Sequence, residues 1–154
     1  MRKLSDVNYK DLREVLFGVV ILGFFYSACG VNLYRRAEDH LNRQENKAAL
    51  EIYLGLMKAS RDKPDLKAMI GAGIAYRNLG NRKACMQLCR KILKYKPNHA
   101  AALYYLGSCL EELGMEDLAM KFYGQYNIVS RDDPYYSFLK ARMNIIKIRS
   151  KDIN

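Results

Sequence analysis

The side chains with the most chemical potential are Cys85, Cys89 and Cys109, together with His40 and His99. Cys85 and Cys89 lie one helical turn apart and would share a helix face. Such a pair could bind a metal or sense redox state, with Cys109 as the nearest third ligand. That chemistry needs more than the chain supplies, because neither histidine is spaced as a ligand with any cysteine. Small buried thiols at alanine-type positions are the simpler reading, and unpaired core thiols lean towards a reducing compartment. The sequence also has no Walker-type loop, no GxSxG and no HExxH. The expectation is no enzyme, no catalytic residues, no metal and no cofactor.

A second kind of chemistry is electrostatic. The 154 residues carry 26 Lys and Arg against 16 Asp and Glu, a formal charge of +10. Eight cations and no acid fall between residues 66 and 110, and the C-terminal tail is also basic. Arg82, Lys83, Arg90, Lys91 and Lys94 sit together on one segment of helical character. They form either a solvated face or a surface for anionic lipid headgroups or an acidic protein. Lys140, Arg142, Lys147, Arg149 and Lys151 could extend that face. Nucleic acid is disfavoured, because the block lacks the aromatic interleaving of single-strand binders and any DNA-reading motif.

The elements that would position these groups begin with an uncharged run, residues 15–34. At about 1.5 Å per residue it matches the roughly 30 Å hydrocarbon core of a bilayer. The first reading is an uncleaved transmembrane anchor preceded by a short tail, residues 1–14. The second is a signal peptide cut before Cys29, since Tyr26-Ser27-Ala28-Cys29 resembles the lipobox of bacterial lipoproteins, with Tyr26 departing from it. A buried core helix is the third. Four cations precede the run and four follow closely, so the positive-inside rule gives no orientation.

Behind this run the chain repeats itself. Ala72-Gly73-x-x-Tyr76-x-x-Leu79-Gly80 matches Leu106-Gly107-x-x-Leu110-x-x-Leu113-Gly114 at one constant offset. Cys85 and Ala119, then Cys89 and Tyr123, hold the same offset. It amounts to about 34 residues, a period that marks a stacked repeat architecture. An earlier copy shows in its second half. Ala49-Leu50-x-x-Tyr53 returns as Ala119-Met120-x-x-Tyr123, and Ser60-Arg61-Asp62-Lys63-Pro64 as Ser130-Arg131-Asp132-Asp133-Pro134. The order of small residue, Tyr, Gly, small residue, aromatic and Pro resembles the tetratricopeptide repeat family. The match is strong in the second and third repeats and weak in the leading helix of the first, where Arg36 and His40 replace expected apolar or aromatic residues.

The resemblance implies an all-α solenoid of three helix-turn-helix repeats, residues 33–64, 66–97 and 100–134. Helix pairs are expected at 33–44 and 47–60, 66–79 and 82–95, and 100–113 and 116–130. A capping helix near 135–149 would close the array. Family register further implies a partner groove lined by Tyr34, Arg35, Lys67, Ile70, Ile74, Arg77, Tyr104, Tyr105 and Ser108. The two-carboxylate clamp of chaperone-binding members is missing, because its positions hold Tyr34, Glu38, Gly71, Ala101 and Tyr105. The groove is expected to take an apolar or amphipathic segment, with an acidic residue meeting Arg77. The whole then reads as a membrane-anchored adaptor in a secretion, pilus or flagellar-motor type assembly, most naturally in a bacterial inner membrane. An outer-membrane lipoprotein acylated at Cys29 and an N-anchored organelle import receptor are the alternatives.

Overall fold

The computed structural model describes residues 32–60 and 62–152, which are all-helical. Helix α1 covers 32–42 within the described range. It is followed by α2 (Asn46–Ala59), α3 (Leu66–Asn78), α4 (Arg82–Tyr95), α5 (Ala100–Glu112), α6 (Glu116–Tyr123) and α7 (Pro134–Asp152). A 3-10 segment, Gly124–Ile128, joins α6 to the last loop. Most helix ends fall within one or two residues of those expected. The exception is the second helix of the third repeat, expected to reach 130. It stops at Tyr123, where Gly124 begins a tighter turn. Glycine is a poor helix former, and Gly124 lets Met143 of α7 come within 3.7 Å of where a Cβ would stand.

Consecutive helices pack as antiparallel pairs, and α5 also touches both α3 and α7. The odd-numbered helices thus form an inner layer, and α2, α4 and α6 an outer one. Small residues set the distance between layers. Ala37, Ala49, Cys85 and Ala119 are fully buried, and Gly73 approaches the Cys85 sulfur to 3.8 Å from a virtual Cβ. Ala37 occupies in the first repeat the small-residue position that Gly73 holds in the second. The first repeat therefore follows the pattern even where its larger residues depart from it.

Each repeat turns between its helices through a left-handed residue. Gly80 has φ +81° and Gly114 φ +74°. In the first repeat that place is held by Gln44 at φ 62°. A Cβ makes this conformation costly by roughly 1–2 kcal/mol, so the first turn is the strained one.

His99, expected to be incidental in a loop, has a structural task. Its Nδ1 accepts the Ala102 N–H at 3.3 Å and caps α5. Burial, with Lys96 nearby, lowers its pKa below the ordinary 6.5. Below that ordinary value the unfolded chain binds the proton more readily, so protons favour unfolding. Stability should therefore be complete above about pH 6.5 and fall as pH drops through the window below it. A series of urea midpoints against pH should show this slope in the native chain. The slope should flatten in His99→Asn, which keeps a capping acceptor but does not titrate. An unchanged slope in the variant would assign the effect elsewhere.

Candidate partner-binding groove

The inner layer brings the expected groove residues together, but engages several of them internally. At its N-terminal end the Tyr34 hydroxyl donates to Asp65, whose other oxygen caps α3 through Ala68 N–H. Burial and the Asp65 carboxylate raise the Tyr34 pKa. Lys67 sits 4.7 Å from the Tyr34 ring centroid and 2.9 Å from Glu38. Arg35 is exposed beside them. This end is polar, and its exposed pairs contribute little to stability.

The middle of the groove is floored by Ile70, Gly71 and Ile74 from α3. Tyr53, from the outer helix α2, lies against Gly71 so closely that its ring fills the space of a Cβ. Burial pushes the Tyr53 hydroxyl up to about 12, with the Glu38 carboxylate adding to the effect. In the third repeat Tyr123 does the same against Gly107, and its hydroxyl donates to Glu111 at 3.1 Å.

Arg77 does not stand free for an incoming acid. It pairs with Glu112 across the repeat boundary, and Arg82 donates to the same carboxylate from 2.6 Å. Burial alone would raise the Glu112 pKa, but the hydrogen bonds from Arg82 and Arg77 hold it below the usual carboxylate range. The Nε of Arg77 is buried without a partner among the described residues. Arg82 consequently leaves the expected basic face, whereas Lys83, Arg90, Lys91 and Lys94 remain exposed on α4. Ser108 is largely buried in α5, with 8% of its surface exposed.

The C-terminal half is aromatic. Tyr104 and Tyr105 meet edge to face with centroids 5.2 Å apart, and both pack on Tyr135 of α7. The Tyr135 hydroxyl donates to that of Tyr105 at 3.4 Å. Burial, with the Tyr135 hydroxyl close by, raises the Tyr105 pKa. Phe138 stands 5.9 Å from Tyr104 yet keeps 54% of its surface exposed. Together with Pro134 these residues line a hollow of about 300 Å³.

Tyr135 and Phe138 are not among the residues that family register places at the groove. The recurrence of Pro64 as Pro134 carries the signal, because it makes α7 an inner-layer helix. In that register Phe138 occupies the place of Ala68 and Ala102, both fully buried. A phenyl ring is too large for the gap an alanine fills, so it remains at the groove mouth.

The three cysteines are buried between α4 and α5. Contact with Cys109 alone would lower the Cys85 thiol, but the bond to Cys89 and burial push it up to about 12. Contact with Cys85, then burial, raises Cys109. Cys85 and Cys109 are thus protonated core thiols rather than nucleophiles. Among the described residues no group of His, Cys, Asp or Glu is arranged to hold a metal ion. Nor is any described helix long and apolar enough to cross a membrane. The anchor expected at 15–34 and the lipidation expected at Cys29 lie outside the described residues, except for the end of the run at 32–34.

Residues 79–143 match the tetratricopeptide repeat family model. No curated protein matches the chain significantly. Among solved structures, the chain is similar to PcrH in its complex with the chaperone binding region of PopB. The TM-score is 0.65 at 19% identity, covering 76% of this chain and 93% of that one. It is also similar to the P58(IPK) TPR domain, with a TM-score of 0.64 at 15% identity, covering 79% of this chain and 34% of that one. The chain thus has the tetratricopeptide solenoid fold over about three quarters of its length, with the family's sequence pattern carried by residues 79–143.

Proposed function

We propose that this protein is a membrane-anchored adaptor that holds a segment of a partner protein in its inner-layer groove, against the aromatic hollow of Tyr104, Tyr105, Tyr135 and Phe138. The observation that carries the reading is Phe138, half exposed among three tyrosines beside an open hollow. Exposed aromatic clusters of this kind are the usual anchors of interface energy. A structural neighbour, PcrH, is bound to a region of PopB, which supports peptide capture by this fold. The charged N-terminal end of the groove is already neutralised internally, so it supplies alignment more than affinity. Membrane attachment rests on the uncharged run 15–34. Its setting is a secretion, pilus or flagellar-motor type assembly, in which the groove positions one subunit near the bilayer.

A photo-crosslinking residue placed at Phe138 in the full chain, expressed in its native membranes, tests the groove. One defined adduct is expected there, and none from the same group placed at Glu51 on α2. The adduct should weaken when Tyr104→Ala is added. Equal labelling from both positions would refute the site. Intact mass of the extracted chain tests the anchor. The full chain supports it, whereas a chain that begins at Cys29 with added acyl mass points instead to a lipoprotein.

A further inference from the structure

The outer face of α4 is unlike those of its sister helices. Lys83, Gln87, Arg90, Lys91 and Lys94 follow one another along its exposed side, and Tyr95 at its end is 58% exposed. Cys85, Cys89 and Ile92 occupy the opposite, buried side. The same positions on α2 are Lys47, Glu51, Leu54, Gly55 and Lys58, and in the third repeat they are Asp117 and Lys121 on α6, then Gly124, Gln125 and Ile128 in the 3-10 segment. A merely solvated outer face in this array is therefore mixed in sign. That of α4 carries four cations and no carboxylate, and none of the four has an ion pair among the described residues.

Part of the row works against the helix, although Lys94 in the last turn stands where the backbone dipole favours a cation. Lys83 stands in the first turn, where the backbone dipole disfavours a cation, and no acid offsets it there. Arg90 and Lys94 are like charges at i and i+4, which repel. The neighbouring hollow, lined by Lys63, Lys91 and Tyr95, contains Asp62 and Asp65. Asp65 is already committed to Tyr34 and to the α3 cap. Four neighbouring cations without an ion pair among the described residues suit an external anionic partner.

We infer that the exposed face of α4 docks on the anionic surface of a bilayer. The row runs from Lys83 to Lys94, about 16 Å at the rise of an α-helix. The hollow beside it, between Gln87, Arg90, Lys91, Lys94 and Tyr95, is wide and open to solvent. A straight row of cations of this length, with no carboxylate among them, suits an array of anionic headgroups. Tyr95 at the end of the row has the character of aromatics that settle at headgroup level. Each cation near an anionic surface strengthens attachment about fivefold. The inference leans on the anchoring proposed above only for proximity, since the charge row itself lies within the described solenoid.

Purified full chain mixed with extruded vesicles, either phosphatidylcholine alone or phosphatidylcholine with phosphatidylglycerol, provides the test. Any capture by neutral vesicles reports the apolar run 15–34 and is read separately. The α4 face predicts extra partitioning into anionic vesicles, lost at high salt. Lysine acylation should be suppressed at Lys91 and Lys94 but not at Lys47. The triple variant Arg90→Gln/Lys91→Gln/Lys94→Gln should lose that extra partitioning on the order of 100-fold, while melting no lower than the native chain. Equal partitioning of variant and native chain would overturn the inference. So would Lys91 and Lys94 protected only when an acidic protein from native membranes is present.

Discussion

Gly71→Ala is expected to destabilise the array by roughly 2 kcal/mol through overpacking, although an alanine in a helix is ordinarily an improvement. A Cβ at Gly71 would lie 2.3, 2.4 and 2.6 Å from three atoms of the Tyr53 ring. Tyr53 is 2% exposed, held in the core with Ala37, Ala49 and Ala72, so the ring has little freedom to retreat. Overpacking of this kind costs up to about 3 kcal/mol, offset by about 1 kcal/mol of helix propensity. Gly107→Ala should behave likewise, somewhat more mildly, since Tyr123 atoms lie at 2.5 to 2.9 Å. Denaturant unfolding would measure both. A second variant makes the cause specific: Tyr53→Leu lowers stability by itself, yet in the Gly71→Ala background it should restore part of the loss. Simple additivity of the two changes, or a stabilised Gly71→Ala chain, would remove the ring as the reason.

Leu139→Ala should cost about 3 kcal/mol and release α7 from the array. Leu139 and Ile146 are buried on α7, joining the main core beside Leu106, Leu110 and Tyr123. Deleting a fully buried leucine to alanine typically costs about 2–5 kcal/mol. The other fastening of α7 is polar. Arg142 embraces Glu111, donating from Nε at 3.1 Å and from a second nitrogen, and Arg149 reaches the same carboxylate at 3.4 Å. The Glu111 side chain is only 9% exposed and Arg142 is half-buried, whereas Arg149 faces solvent and its share of the pairing contributes little. Limited proteolysis should therefore cut Leu139→Ala within α7 while α3 and α4 stay protected. Crosslinking from Phe138 should fall in parallel. Uniform cleavage of all helices would mean that the last helix is not a separable unit.

Much of this architecture is legible in the sequence because it rests on local rules. Small residues, a left-handed turn and a terminating proline recur at a fixed spacing, and each enforces one step of the helical hairpin. That is why α3 to α5 fall close to their expected limits. The groove is legible only in part. Arg77 occupies its expected place, but its partner Glu112 lies 35 residues away on the next inner helix, and no periodicity announces which rotamer joins them. Likewise, Arg82 belongs by sequence to a basic face, and only the fold shows the same carboxylate claiming it. Phe138 requires reading one position against Ala68 and Ala102. Gln44 gives no signal, because the turn conformation persists there without the glycine that usually marks it.

The second repeat contains no carboxylate of its own between residues 66 and 97, and its neutralisation comes entirely from elsewhere. Glu38 of the first repeat meets Lys67, while Glu112 of the third takes both Arg77 and Arg82. Asn78 also donates back to Asn46 at 2.9 Å. In a quasi-one-dimensional array, stability divides into what each unit holds alone and what it gains from its neighbours. Here the central unit alone is a self-repelling object, and Lys67, Arg77 and Arg82 find their carboxylates only when both flanks are folded. The consequence lies in cooperativity. The middle repeat loses some of these pairs and part of its shared core when either flanking repeat melts, so the three repeats should fold and unfold as a single event rather than peel away in turn.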